Sequence, residues 1–239
     1  MIKSRAAVAL PLAGLLSVTL IAPALADSRQ EDLNNKVDQV TRVFEEIMSV
    51  SNTRIPPTLL ARSEGIIIIQ GLVQAGFIFG GRRGSGLMVV RQPDGTWSNP
   101  AFVSLTGGSF GLQIGAQSSD IVFVFPNRET LNRVLTSSFN VGGSVSGTAG
   151  PVGDSAVDPA RGFDNAPVYT YSRSSGLFGG VTLDGSNIAF DRSRNRDFYG
   201  DQSITPRAIF TDPFRPTPVV VNSLHEVLRK AEAGTISRY

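Results

Sequence analysis

Three stretches of this chain bring reactive or charged residue types close enough together to do chemistry. Gly107-Gly108-Ser109-Phe110-Gly111 has the spacing of a nucleophile elbow, with aspartates and then His225 downstream in the chain order of an α/β-hydrolase. An elbow needs a sharp turn from strand into helix. Here Phe110, Leu112, Ile114 and Ala116 alternate with Gly111, Gln113, Gly115 and Gln117 as a half-buried strand does, so the match is expected to be fortuitous and no catalytic residue is assigned. The second stretch, Gly80 to Gly86, carries Arg82 and Arg83, and Arg91 follows at the end of the next apolar run. Its glycines fit neither the Walker spacing nor the dinucleotide order, but a tight turn here would present guanidinium groups to an anion. In the third, an extended Arg192-Ser-Arg194-Asn-Arg196 would put three arginines on one face, flanked by Asp191 and Asp197. Arg82, Arg83, Arg91, Arg192, Arg194 and Arg196 are therefore the candidate contacts for an anionic head group. The alternative for each is a surface arginine paired with a carboxylate.

Other chemistries are closed off by composition. The chain has no cysteine and one histidine, which removes disulfides, cysteine nucleophiles, iron–sulfur clusters and the common zinc sites. Asp184, Asn187 and Asp191 are acidic and close in sequence but lack the spacing of a calcium loop. Neither a metal nor a cofactor is expected.

The charge is informative only once it is divided. Over 239 residues there are 22 Lys and Arg against 20 Asp and Glu. Lys3 and Arg5 precede an uncharged run from Ala6 to Ala22, and Ala24-Leu25-Ala26 supplies a small-x-small cleavage site. Residues 1–26 thus read as an export signal, cut between Ala26 and Asp27. Without it the cations and anions balance, and apart from Lys36 and Lys230 every remaining cation is arginine. A neutral mature chain lacks the broad positive footprint of a nucleic-acid binder, so any anion recognition rests on local clusters.

The elements that must position these residues follow from periodicity. Leu33, Val37, Val40, Phe44 and Ile47 form one apolar stripe on a helix over 31–50, ended by Ile55-Pro56-Pro57, with a helical turn near 58–63. From Ile66 to Ile69 the pattern becomes β-branched. Strands are expected there, around 77–79 and 87–90, at 110–116 and at 121–125, the last apolar on both faces and so central. Asn127 caps a helix to Leu135; residues 139–149 alternate, 150–167 form a long loop, and strands recur near 168–173, 178–184 and 186–190. Residues 201–217, with three prolines, read as irregular, before a last helix from Thr217-Pro218 to Ala233 stopped by Gly234. Glycines 76, 80, 84 and 86 recur on one strand face, as do Gly111 and Gly115, which points to a bending sheet or close packing. With 41% hydrophobic residues, residues 27–239 can close one domain. The expected class is α+β, mainly β: an antiparallel barrel or sandwich of about ten short strands with N-terminal, central and C-terminal helices.

Several blocks resemble a known family. Ile55-Pro-Pro-x-Leu-Leu-Ala61, Ala75-Gly-Phe-Ile-Phe-Gly-Gly81, Trp97-Ser-x-Pro-Ala-Phe102, the run from Ser104 to Ser118 and Phe198-Tyr-Gly200 stand in order, and on them residues 56–200 are similar to the SYLF domain family. The resemblance implies a non-enzymatic module that binds phosphoinositides or other anionic lipids, with actin binding known for some eukaryotic members. It departs from the family in the glycine-rich segment, where an aromatic and then a basic residue are common and this chain has Arg83 and Ser85. The combined expectation is an exported protein, periplasmic or secreted and peripheral to a membrane, that binds anionic lipid and no nucleic acid. The alternative is an envelope structural or protein-interaction domain without a lipid ligand.

Overall fold

The computed structural model describes residues 21–51, 54–76, 79–110, 115–136, 139–140, 147–149, 168–174 and 185–236. The elements in chain order are α1 (Ile21–Ser49), α2 (Pro57–Arg62), β1 (Gly65–Gly76), β2 (Phe79–Val90), β3 (Ala101–Phe110), β4 (Gly115–Phe125), α3 (Arg128–Thr136), β5 (Phe139–Asn140), β6 (Gly147–Ala149), β7 (Val168–Ser174), β8 (Ser186–Phe190), α4 (Arg192–Tyr199), α5 (Pro206–Thr211) and α6 (Val221–Glu232).

The strands form one sheet in the order β5-β8-β3-β2-β1-β4-β7-β6, antiparallel except where β6 runs parallel to β7. The α+β class is as expected, and the architecture is one layered sheet with helices packed on both of its faces. Among the described residues β5 and β6 are edges and do not pair to close a barrel.

The run Ile66 to Ile69 explains the layering. Ile66 and Ile68 join Leu87, Val89, Phe102, Val122 and Val124 on the face covered by α1, α2 and α6. Ile67 and Ile69 join Met88, Val103, Phe123 and Phe125 on the other face, under α3 and α5. A strand buried on both sides carries no polar alternation, which is why this run is continuously apolar. The stripe on α1 (Leu33, Val37, Val40, Phe44, Ile47) is buried against α6 and the sheet. Truncating any one of these to alanine would cost about 2–5 kcal/mol.

Three local expectations are corrected. The glycine-rich segment 80–86 is not a turn but the interior of β2, paired along its length with β1 and β3. Glycine is needed there for space. β1 bulges after Gln70, where Gly71 has φ +63 and the register jumps from Gln70 opposite Ser85 to Val73 opposite Arg83. Beside this bulge β1 and β2 lie close together: a Cβ on Gly86 would lie 1.8 Å from the Ile68 carbonyl oxygen and one on Gly84 2.7 Å from Ile69 Cγ2.

Arg192 to Arg196 is helical rather than extended. Asp191 caps α4 by accepting from the Arg194 amide at 3.0 Å, and Gly200 ends it with φ +63. Residues 201–217 are also more ordered than expected, since Thr205 caps α5, which buries Ile209 and Phe210. The strand expected at 178–184, the loop at 150–167 and most of the export signal lie outside the described residues. α1 itself starts at Ile21 and so runs through the expected cleavage position. Among the described residues no helix is long and apolar enough to cross a membrane.

Candidate functional site: a cationic pocket between α1, α4 and the sheet

Followed along β1 toward the bulge, the face under α1 changes from Ile66 and Ile68 to Gln70, and on β2 from Leu87 to Ser85 and Arg83. Here the apolar core ends and a polar cavity of about 500 Å³ begins. Its floor is Gln70 and Gly71 of β1, Arg83, Gly84 and Ser85 of β2, and Ser104 of β3. Lys36 of α1 forms one wall, and Asp191, Ser193 and Arg194 at the start of α4 form the other.

Each side chain has a local reason for its place. Lys36 lies three residues after Leu33 and four before Val40, at the margin of the buried stripe, so its stem follows the apolar surface into the cavity. Its Nζ donates to Gln70 Oε1 at 2.5 Å. Burial, and secondly the nearby Arg194 guanidinium, push the Lys36 amine down to about 8, with Asp120 acting in the opposite sense. Arg83 shares the α1 side of β2 with Ser85 and is exposed, with no carboxylate paired to it among the described residues. Among the described residues Arg194 pairs with the capping Asp191, at 3.5 Å. Asp120 accepts from the Gly71 amide at 2.8 Å and pairs at 3.3 Å with Arg173, a guanidinium it shares with Glu46.

The structure divides the arginines proposed from sequence. Arg83 and Arg194 meet at the pocket. Arg82, its neighbour on the opposite face of β2, is buried and donates to the Gly108 carbonyl at 3.0 Å. Arg91 is engaged in the fold. It donates to the carbonyls of Ser63, Leu60 and Gly95, each at 2.8 Å, pairs with Glu232, and lies 4.2 Å above the Trp97 ring. Arg192 and Arg196 are exposed on α4 away from the cavity lining. The residues that sequence reasoning passed over are Lys36, Gln70, Ser85, Ser104 and Ser193. One signal was present for Lys36, a lysine almost alone among arginines and set at the edge of an apolar stripe.

The hydrolase geometry does not form. Ser109 stands inside β3, opposite Gly80, while His225 Nε2 lies 2.9 Å from the Ser98 carbonyl before that strand begins. At ~3.3 Å per residue the two are separated by roughly 30 Å of strand. Among the described residues no three His, Cys, Asp or Glu side chains converge as a metal site.

Comparison with known proteins places this architecture. A family model for Ysc84, described as "Las17-binding protein actin regulator", matches residues 106–231. The chain belongs to the Ysc84 family. This bears out the SYLF resemblance read from the sequence. The Ysc84 match takes in α4 with Asp191, Ser193 and Arg194, while Lys36, Gln70 and Arg83 lie before it. LAS seventeen-binding protein 3 of Saccharomyces cerevisiae is 40% identical over 169 residues, covering 70% of this chain and 36% of that protein. SH3 domain-containing YSC84-like protein 1 of Xenopus laevis is 32% identical over 205 residues, covering 82% of this chain and 60% of its own length. The human protein of that name is 32% identical over 196 residues, 81% of this chain and 56% of the relative. The chain therefore spans about a third of that yeast Ysc84 relative and little more than half of the vertebrate ones.

Proposed function

We propose that this Ysc84-family chain is a non-enzymatic module that binds anionic lipid head groups at a membrane surface, and that the cavity between α1, α4 and the sheet is its binding site. One observation carries the reading: Lys36, Arg83 and Arg194 reach a single recess from three separate elements, with only Asp191 among them as a carboxylate. Arginine and lysine around serine hydroxyls suit an oxyanion through charge-assisted hydrogen bonds. In this reading residues 1–26 are an export signal cut between Ala26 and Asp27, residues 27–239 are one domain, and the processed protein works in the periplasm or outside the cell, peripheral to a membrane.

Co-sedimentation of the processed protein with anionic and neutral vesicles tests it. Pelleting with anionic vesicles alone supports the proposal, and absence from both pellets sinks it. A second reading draws on the family description and the names of the yeast relatives, which speak of binding a protein. There the domain would engage an envelope protein partner, and a pull-down that retains a protein with no lipid would favour it.

A further inference from the structure

We propose that the pocket is a phosphate-monoester site in which Lys36 is the residue that separates a monoester from a diester. This deepens the head-group reading above and rests on it for the location of the site.

The charges count toward it. Lys36, Arg83 and Arg194 face one another across the recess, and Asp191 offsets one of them. Asp120 approaches Lys36 from β4, outside the lining, where it accepts from the Gly71 amide and shares Arg173 with Glu46. Among the lining residues two positive charges remain. A phosphate monoester carries about −1.5 to −2 near neutrality and so matches them. A diester, with one negative charge, leaves a recessed cation uncompensated.

Shape gives the same result. The three cations come from a helix on one side, a strand beneath and a second helix on the other, and Ser85, Ser104 and Ser193 place hydroxyls between them. A terminal phosphoryl group has three free oxygens to share among three sides. A diester has two, and needs an exit for each ester arm.

Lys36 is the discriminating member because it is the recessed one. It is half-buried and already oriented by Gln70, whereas Arg83 and Arg194 are exposed and can satisfy part of their charge in water. Its amine sits near 8 because burial and Arg194 disfavour the charged form. A dianion reverses that penalty more fully than a monoanion does.

The monoester can come from a lipid or from a soluble molecule, and the assay separates the two. Phosphatidylcholine vesicles carrying either phosphatidate (a monoester) or phosphatidylglycerol (a diester), matched for surface charge, are titrated with the processed protein, with glycerol 3-phosphate as soluble competitor. Phosphatidate is expected to be preferred by roughly tenfold, equivalent to about 1.4 kcal/mol. Lys36→Gln is expected to abolish the preference, and Lys36→Arg to keep it. A melting curve of each variant controls for folding. Equal binding to the two vesicles, or a folded Lys36→Gln variant that keeps the preference, overturns the monoester proposal and leaves the head-group reading standing. If neither vesicle binds but glycerol 3-phosphate raises the melting temperature of the wild type and not of Lys36→Gln, the monoester proposal holds with a soluble ligand and the membrane reading falls. If neither vesicle nor glycerol 3-phosphate binds, both fall.

Discussion

Asn195 grips the backbone of Phe102 with both ends of its amide: Oδ1 accepts from the Phe102 N–H at 2.7 Å, and Nδ2 donates to the Phe102 carbonyl at 3.0 Å. This buried side chain also reaches the Asp191 carbonyl at 2.8 Å. It fixes α4 over β3, and so holds Arg194 at the cavity that Ser104 also lines. Asn195→Ala removes all three bonds and leaves the Phe102 N–H unsatisfied, while its carbonyl keeps the Asp191 amide at 2.9 Å. The expected cost is about 2–4 kcal/mol, read from denaturant midpoints, with weaker binding to anionic vesicles than the change in folded fraction explains.

The arginines on α4 should separate by position. Arg194→Gln is expected to lower affinity for anionic vesicles about five- to twentyfold, as removal of one charge-assisted contact would. Arg192→Gln and Arg196→Gln, which stand outside the cavity, should change it less than about threefold. Equal losses from all three in co-sedimentation would mean diffuse attraction to the surface rather than a pocket.

A different arginine serves stability. Glu232 of α6 accepts from both Arg91 and Trp97 Nε1, the latter at 3.0 Å, and the Arg91 guanidinium covers the indole. Glu232→Ala should destabilise by about 1–3 kcal/mol. Trp97 is the chain's single tryptophan, so its emission should shift to the red as α6 loosens, with no effect on head-group selectivity in the fraction that stays folded.

Raising the pH should move stability and binding in opposite directions. Lys36 has a folded value of about 8 against 10.5 for the free side chain. Between these values the unfolded chain binds more protons, so the Lys36 contribution to stability increases as pH rises through that window; below about 8 the cost of the buried ammonium is present in full. Lys36→Met should be the more stable protein near neutrality, with the gap closing in alkali. Anion binding needs the ammonium and should weaken above about pH 8. Urea melts and vesicle titrations across that range, each referred to Lys36→Met, provide the check.

Two glycines of the central strands should respond differently to a methyl group. Gly86→Ala puts Cβ on the Ile68 carbonyl and is expected to cost more than about 4 kcal/mol or to leave no soluble protein. Gly108→Ala meets nothing within 4 Å, so it should stay within about 1 kcal/mol of wild type. Thermal melts of the pair isolate crowding beside the β1 bulge from the general effect of glycine in a strand.

The contrast between these glycines also shows what could be read in advance. Periodicity exposes which face is buried, so the α1 stripe and the doubly buried Ile66–Ile69 run were legible. It is silent on why a glycine is present. Gly84 and Gly86 look like turn residues, but they answer to the close approach of another strand, and nothing near residue 84 in the sequence encodes that. Arg192 to Arg196 has too few apolar positions to display a helical period. Its real signals were the ends, Asp191 as cap and Gly200 as stop. Half of the charged site was visible as arginine clusters. The other half needed the approach of Lys36 to Arg194, which depends on how α1 and α4 sit on one sheet.

α1 is the first described element to be synthesised and α6 the last, and they share one apolar layer on the same face of the sheet. Until Val221, Leu224 and Leu228 have emerged from the ribosome, the stripe from Leu33 to Ile47 lacks its α6 partner. That layer of the core therefore closes only after every described strand of the sheet has been made, so the sheet waits with one face uncovered until α6 arrives.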